Sequence, residues 1–208
     1  MNPHTDHLIF GCADLDVGCD EIERLLGVRP AFGGSHPDIG THNALLSLGR
    51  GVYLEVMAPD PEQPKPAMPR PLRLDSLRQP RLIGWAARAD CIEAAVEAAR
   101  QAGYNPGQAL SWERALPDGG KLRWKLAMHR EMPGDGVVPF LIEWGMAQHP
   151  SLMAPGGCTL LDLEAEHPHP EAVQPMLDAL GVDLQVSEGG RPALLATIEC
   201  PRGTVVLS

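Results

Sequence analysis

No apolar run in this 208-residue chain approaches the ~20 residues that a membrane-spanning helix needs, so no membrane partner is expected. The first residues, Met1 to His7, lack the basic start and apolar stretch of a secretory signal. Five cysteines (Cys12, Cys19, Cys91, Cys158 and Cys200) are odd in number and show no CxxC spacing. They read as reduced thiols of a cytoplasmic protein, not as staples or a zinc knot. Basic residues are outnumbered 17 to 27 by acidic ones and are scattered, giving a net charge of -10. A phosphate-tracking surface is therefore not expected, and nucleic acid is not an expected partner. Also missing are a GxGxxG before a helix, a P-loop, a GxSxG elbow and an HExxH pair, which removes the commonest motif-borne chemistries.

What the chain does have is a repeat. Asp14 and Gly27 bracket one helical stretch, and Asp90 and Gly103 bracket another with the same spacing. A short apolar run precedes each, His7-Leu8-Ile9-Phe10 and Leu82-Ile83-Gly84-Trp85, and a matching turn follows each, Gly27-Val28-Arg29-Pro30 and Gly103-Tyr104-Asn105-Pro106. A looser third copy runs through Leu160-Leu161-Asp162-Leu163 to Gly181. In this alignment His7 falls on Ile83 and on Leu161. Repeats share a backbone, so an imidazole at an otherwise apolar position needs its own explanation.

The first copy reads as strand, helix and three further strands. Its first strand spans 7–13, a Gly/His/Pro/Asp loop covers 33–41, and its last strands meet at the turn Gly49-Arg50-Gly51. Residues 59–71 hold six prolines and predict an extended crossover without regular structure. In the second copy Asp90 and Glu93 resemble a capping pair. In the third, Pro170 opens a helix, Pro175 kinks it and Gly181 ends it. The expected architecture is α+β, with repeated βαβββ units forming a curved mixed-sheet cup, helices outside, and the third unit shorter. Residues 1–148 hold the paired units (1–58 and 81–148), and 158–208 the third unit, packed on the same domain.

Two constellations point to chemistry. His7 opens the first strand and Glu55 lies in Tyr53-Leu54-Glu55-Val56-Met57, a run otherwise fit for a core. A buried carboxylate needs a partner or a metal, and an imidazole with a carboxylate suits a divalent ion or an acid–base pair. Glu143 is the second copy's counterpart of Glu55, unless it aligns one residue off and takes the other face. The second constellation is the segment Gly33 to Asn43, whose His36, Thr41, His42 and Asn43 can line a ligand loop. Trp85 and Trp124 are candidates for an apolar wall, and Arg123 for a carboxylate anchor.

Taken together, Asp6-His7-Leu8-Ile9-Phe10 with Asp14-Leu15, the segment Gly33 to Leu45, Tyr53-Leu54-Glu55 and Pro139-Phe140-Leu141-Ile142-Glu143-Trp144 resemble the vicinal oxygen chelate superfamily, and within it the glyoxalase-like proteins. The resemblance implies paired βαβββ units around a small ligand. It also implies a divalent metal (Zn, Fe, Mn or Ni) held by His and Glu from two units, here His7, Glu55 and Glu143. Ile83 stands where the second unit's histidine ligand would be; His36 or His42 could supply the missing ligand only if their loop folds inward, and a metal-free site is the alternative. The implied function is a lyase, isomerase or dioxygenase acting on a small molecule, with His7 and Glu55 catalytic. The alternative is a non-catalytic sequestering protein of the same fold, whose acidic cup would suit a cationic ligand. A homodimer is the assembly this reading allows.

Overall fold

The structure, a computed structural model, describes residues 5–37, 39–49, 51–115, 121–129 and 131–208. Asp38 of the expected loop and Arg50 of the expected turn lie outside the described residues. Three βαβββ units follow one another. The first is β1 (Thr5–Gly11), α1 (Leu15–Leu26), β2 (Ala31–His36), β3 (Thr41–Ser47) and β4 (Tyr53–Pro59). The second is β5 (Arg81–Arg88), α2 (Ile92–Gln101), β6 (Ala109–Ala115), β7 (Lys121–Ala127) and β8 (Phe140–Glu143). The third is β9 (Thr159–His167), α3 (Pro170–Ala179), β10 (Val186–Glu188), β11 (Ala193–Cys200) and β12 (Gly203–Leu207).

The first two units join in one eight-stranded sheet, ordered β2-β3-β4-β1-β5-β8-β7-β6. Each first strand pairs parallel with its unit's last strand, and β1 and β5 meet antiparallel at the centre. The sheet is therefore a mixed, curled structure with two-fold-like halves. The pleat separates its faces. Leu8, Phe10, Leu54 and Val56 pack toward the helices, while Ile9, Met57, Phe140 and Ile142 form a second cluster on the cup face. Helix α1 starts where Asp14 accepts from the Val17 N–H, and it ends at Gly27 in the left-handed conformation (φ 80°).

Several local expectations give way. The stretch 33–36 is not loop but part of β2, since its backbone pairs with β3. Gly33 suits that strand because a Cβ there would sit 2.4 Å from the Asn43 amide oxygen. Asp90 and Glu93 form no capping box. Cys91 is the N-cap of α2 without a side-chain bond, and the Ile92 N–H donates instead to Glu143 at 2.7 Å. The third unit forms its own sheet, ordered β10-β9-β11-β12, so its first strand neighbours β10 and β11 and not its last strand. A register irregularity in β9, between Leu160 and Asp162, leaves Leu161 43% exposed, so it does not pack as its alignment with Ile83 suggested. The third unit's core, Leu160, Leu163, Leu194 and Ile198, is continuous with the helix-side core of the large sheet.

Residues 60–70 have no regular structure, and a 3₁₀ turn, Pro71–Ser76, follows. This crossover is a strap over the cup. Its Leu72 and Leu74 are buried against Ile9, Met57 and Ile83.

Candidate active site

The concave face of the large sheet encloses a cavity of about 1250 Å³. Its floor is built by β1, β3 and β4. The pleat of β1 that sends Leu8 to the helices sends His7 and Ile9 inward, and β4 sends Tyr53, Glu55 and Met57 the same way. His7 and Glu55 are 3% and 6% exposed. Imidazole Nε2 lies 3.6 Å from Glu55 Oε2. The other carboxylate oxygen, Oε1, accepts from the Asn43 amide at 2.6 Å. The Asn43 amide oxygen is buried and has no hydrogen-bond partner among the described residues. The imidazole is clamped by Tyr53, stacked at 4.6 Å, and by the edge of Phe140 at 5.6 Å.

The remaining ring nitrogen of His7 fixes its role. Nδ1 lies 2.9 Å from Asp6 Oδ1, so the Nδ1–H donates to this carboxylate and Nε2 is the atom that faces the cavity. Asp6 is fully buried and serves four partners. Besides His7 it accepts from Arg88 Nε at 2.9 Å and from Trp144 Nε1 at 3.1 Å, and it meets His149 Nε2 at 3.1 Å. Burial alone would push its carboxyl up. The bonds from His149 and His7, with their charge, override that and hold it well below the usual carboxylate range. The result is a first-unit histidine oriented by a carboxylate that the second unit and the segment after it keep ionised.

Five of the residues singled out in the sequence converge here: His7, Glu55, His36, Asn43 and Trp124 all line the cavity. Thr41 is fully buried behind the lining and contacts His36 Nδ1 at 3.1 Å. The other candidates lie elsewhere. His42 alternates to the opposite face of β3, with Nδ1 3.9 Å from Asp60. Trp85 is in the helix-side core, where its indole donates to the Val137 carbonyl at 2.7 Å. Arg123 is on an outer surface, paired with Glu113 at 3.2 Å. Glu143 is one residue out of phase with Phe140 and Ile142, so it caps α2 and approaches Lys125 instead of the cup. The residues the sequence reading missed are Asp6, Arg88, Trp144 and His149. Only Asp6, a carboxylate beside His7 ahead of an apolar run, gave a local signal.

A metal does not fit this donor set. Among the described residues no three His, Cys, Asp or Glu side chains gather for an ion. Opposite His7 and Glu55 the second unit presents Ile83, Ala86, Phe140 and Ile142, which carry no donor, and a protein metal site takes at least three ligands. The cup is not acidic either. Glu55 and Glu131 in its lining are matched by Arg70 and Arg73, and most of the rest is apolar.

Comparison with known proteins agrees with this architecture. The family model for a glyoxalase-like domain matches residues 5–181. Among solved structures, a hypothetical protein from Staphylococcus aureus is similar over 90% of this chain and 87% of its own, at 15% identity and a TM-score of 0.68. A methylmalonyl-CoA epimerase from Mycobacterium tuberculosis aligns over 68% of this chain and 88% of its own, at 24% identity and a TM-score of 0.45. No curated protein sequence matches significantly. Matched from β1 to the end of α3, and built from the paired βαβββ units that its sequence foreshadows, the chain belongs to the glyoxalase-like domain family.

Proposed function

We propose that the cup is the active site of an isomerase or lyase that moves a proton on a carbonyl-bearing small molecule through His7 and Glu55, without a metal. The observation that carries this reading is the pair itself. His7 Nε2 and Glu55 Oε2 stand 3.6 Å apart on the cavity floor, while the other polar atom of each is engaged by Asp6 and Asn43. The separation is too long for a good hydrogen bond, and both side chains line the cavity, where one substrate can meet each of them. Glu55 takes a proton from the carbon beside the carbonyl, and the electron pair moves onto the carbonyl oxygen. Protonated His7, stabilised by Asp6, donates its Nε2–H to that oxygen. Return of that proton by Glu55 to the γ-carbon of an unsaturated substrate while the enol O–H goes back to His7, or loss of a β-substituent, completes an isomerisation or an elimination. An imidazole held by Asp6 and a carboxylate held by Asn43 keep the rigid geometry that general acid–base catalysis needs.

The test is deuterium incorporation. A panel of carbonyl compounds incubated with chelator-treated protein in D2O is read by mass spectrometry. The expected result is label at the carbon beside the carbonyl, slowed by about 100-fold or more in Glu55→Gln, the usual worth of a general base. Exchange that needs added metal ion would overturn the metal-free step. Tight binding with no exchange of any compound would favour the sequestering alternative, which the three tryptophans of the cavity wall, Trp112, Trp124 and Trp144, also suit.

A further inference from the structure

The size and lining of the cavity say more about its occupant than the floor does. Pockets for drug-sized ligands run ~300–1,000 Å³, and this one is about 1250 Å³. A three- or four-carbon hydrophilic substrate would leave most of it unfilled. Three of the chain's four tryptophans line it, and Trp124 and Trp144 lie with ring centroids 5.6 Å apart. Four of the eight methionines, Met57, Met68, Met128 and Met132, line it too, and their flexible thioethers adapt to irregular apolar bodies. At its rim Met68 and Leu110 are 51% and 53% exposed, apolar surface set in water beside a binding site.

The roof adds an independent observation. Among the described residues, four non-glycine residues have a left-handed backbone: Leu72 (φ 58°), Arg73 (φ 53°), Met132 (φ 48°) and Asp135 (φ 52°). All four lie in two segments, the strap and the loop 131–136, and Leu72, Arg73 and Met132 line the cavity. Arg73 joins the two segments by an ion pair to Asp135 at 2.6 Å. Backbone strain of this kind persists where function requires the shape, and here it turns apolar side chains of both segments over the cup.

We infer that the substrate is a bulky, ring-bearing apolar molecule with one oxygen-bearing polar end, its ring against Trp112, Trp124 and Trp144 and its polar end at the floor. A ring is favoured over a chain because aromatic faces gain from stacking beyond the area they bury. The placement of the polar end rests on the acid–base reading of His7 and Glu55, but the ring preference does not.

Three methyl ketones with the same reactive group separate the two ideas: 1-(2-naphthyl)ethanone, 2-decanone and acetone. Binding is followed by calorimetry and by quenching of tryptophan emission, and deuterium uptake at the methyl group is read in parallel. The naphthyl ketone is expected to bind about tenfold or more tighter than 2-decanone, with acetone weaker by a further factor of ten at least. Trp124→Ala should weaken the naphthyl ketone by about tenfold. Leu110→Ser, at an exposed rim position, gives a second variant and should lower the same affinity. Equal affinities, acetone binding best, or 2-decanone binding better than the naphthyl ketone would overturn the inference. Binding in the expected order without deuterium uptake would leave it standing and remove the catalytic reading instead.

Discussion

Replacing Asp6 by Asn tests whether the carboxylate beneath His7 holds the site together by its charge. The substitution keeps shape and leaves one acceptor oxygen. It removes the charge that serves His7, Arg88, Trp144 and His149 at 2.9 to 3.1 Å. A hydrogen bond to a charged group is worth about 1.5–3 kcal/mol, and leaving a buried pair broken costs about 3–5. Arg88 and His149 partly recover by reaching water, since their side chains are 39% and 15% exposed. The expected loss is about 2–4 kcal/mol at pH 7. The pH dependence carries a sign. The folded-state carboxyl is held below its ordinary range, so its contribution is complete above the unfolded value of ~3.9 and is lost as pH falls below it. Urea unfolding of wild type and Asp6→Asn at pH 7, 5 and 3 reads both effects, and the gap between the proteins should narrow from pH 5 to pH 3. A gap below ~0.5 kcal/mol at pH 7, or one that widens between pH 5 and pH 3, would refute the assignment.

Three further outcomes are expected. Gly33→Ala puts a Cβ 2.4 Å from the Asn43 oxygen, so it should displace Asn43 from Glu55 and slow deuterium exchange while leaving the circular dichroism unchanged. Glu143→Ala removes the acceptor at the start of α2 and should cost about 1 kcal/mol in urea unfolding with no effect on ligand affinity, whereas a metal ligand at this position would reverse that pattern. Burial pushes the thiols of Cys12 up to about 12 and of Cys19 and Cys158 up to about 11, while Cys91 is exposed. A disulfide reagent at pH 8 should therefore modify one thiol quickly in the native protein and all five after denaturation.

Much of the scaffold was legible because the helix caps at Asp14 and Gly27 and the apolar runs before them are local signals that repeat. His7 and Glu55 stood out by the same logic, as polar side chains in positions that a copy or a neighbour fills with carbon. Glu143 stayed ambiguous between the two faces for the opposite reason. In a four-residue strand a phase error of one residue exchanges the two faces, and nothing in Phe140-Leu141-Ile142-Glu143 marks which alternate side chains point to the cup. The remaining partners of Asp6 were not legible at all, since Arg88, Trp144 and His149 reach it from 82 to 143 residues away. The strap read as a spacer because its prolines specify an extended backbone and say nothing of what Leu72 and Leu74 cover.

The reach of Asp6 across the chain also bears on heredity. Two units with matching backbones invite the idea of interchangeable parts, each able to be copied, shuffled or lost alone. Here the first unit keeps the polar floor, the second supplies Arg88 and Trp144, and the stretch leading to the third supplies His149. A gene carrying only the first unit would encode His7 and Glu55 and leave Asp6 without three of its four partners. The two halves are structurally dependent on each other, and a substitution at Arg88 or Trp144 in one acts on the Asp6 carboxylate of the other.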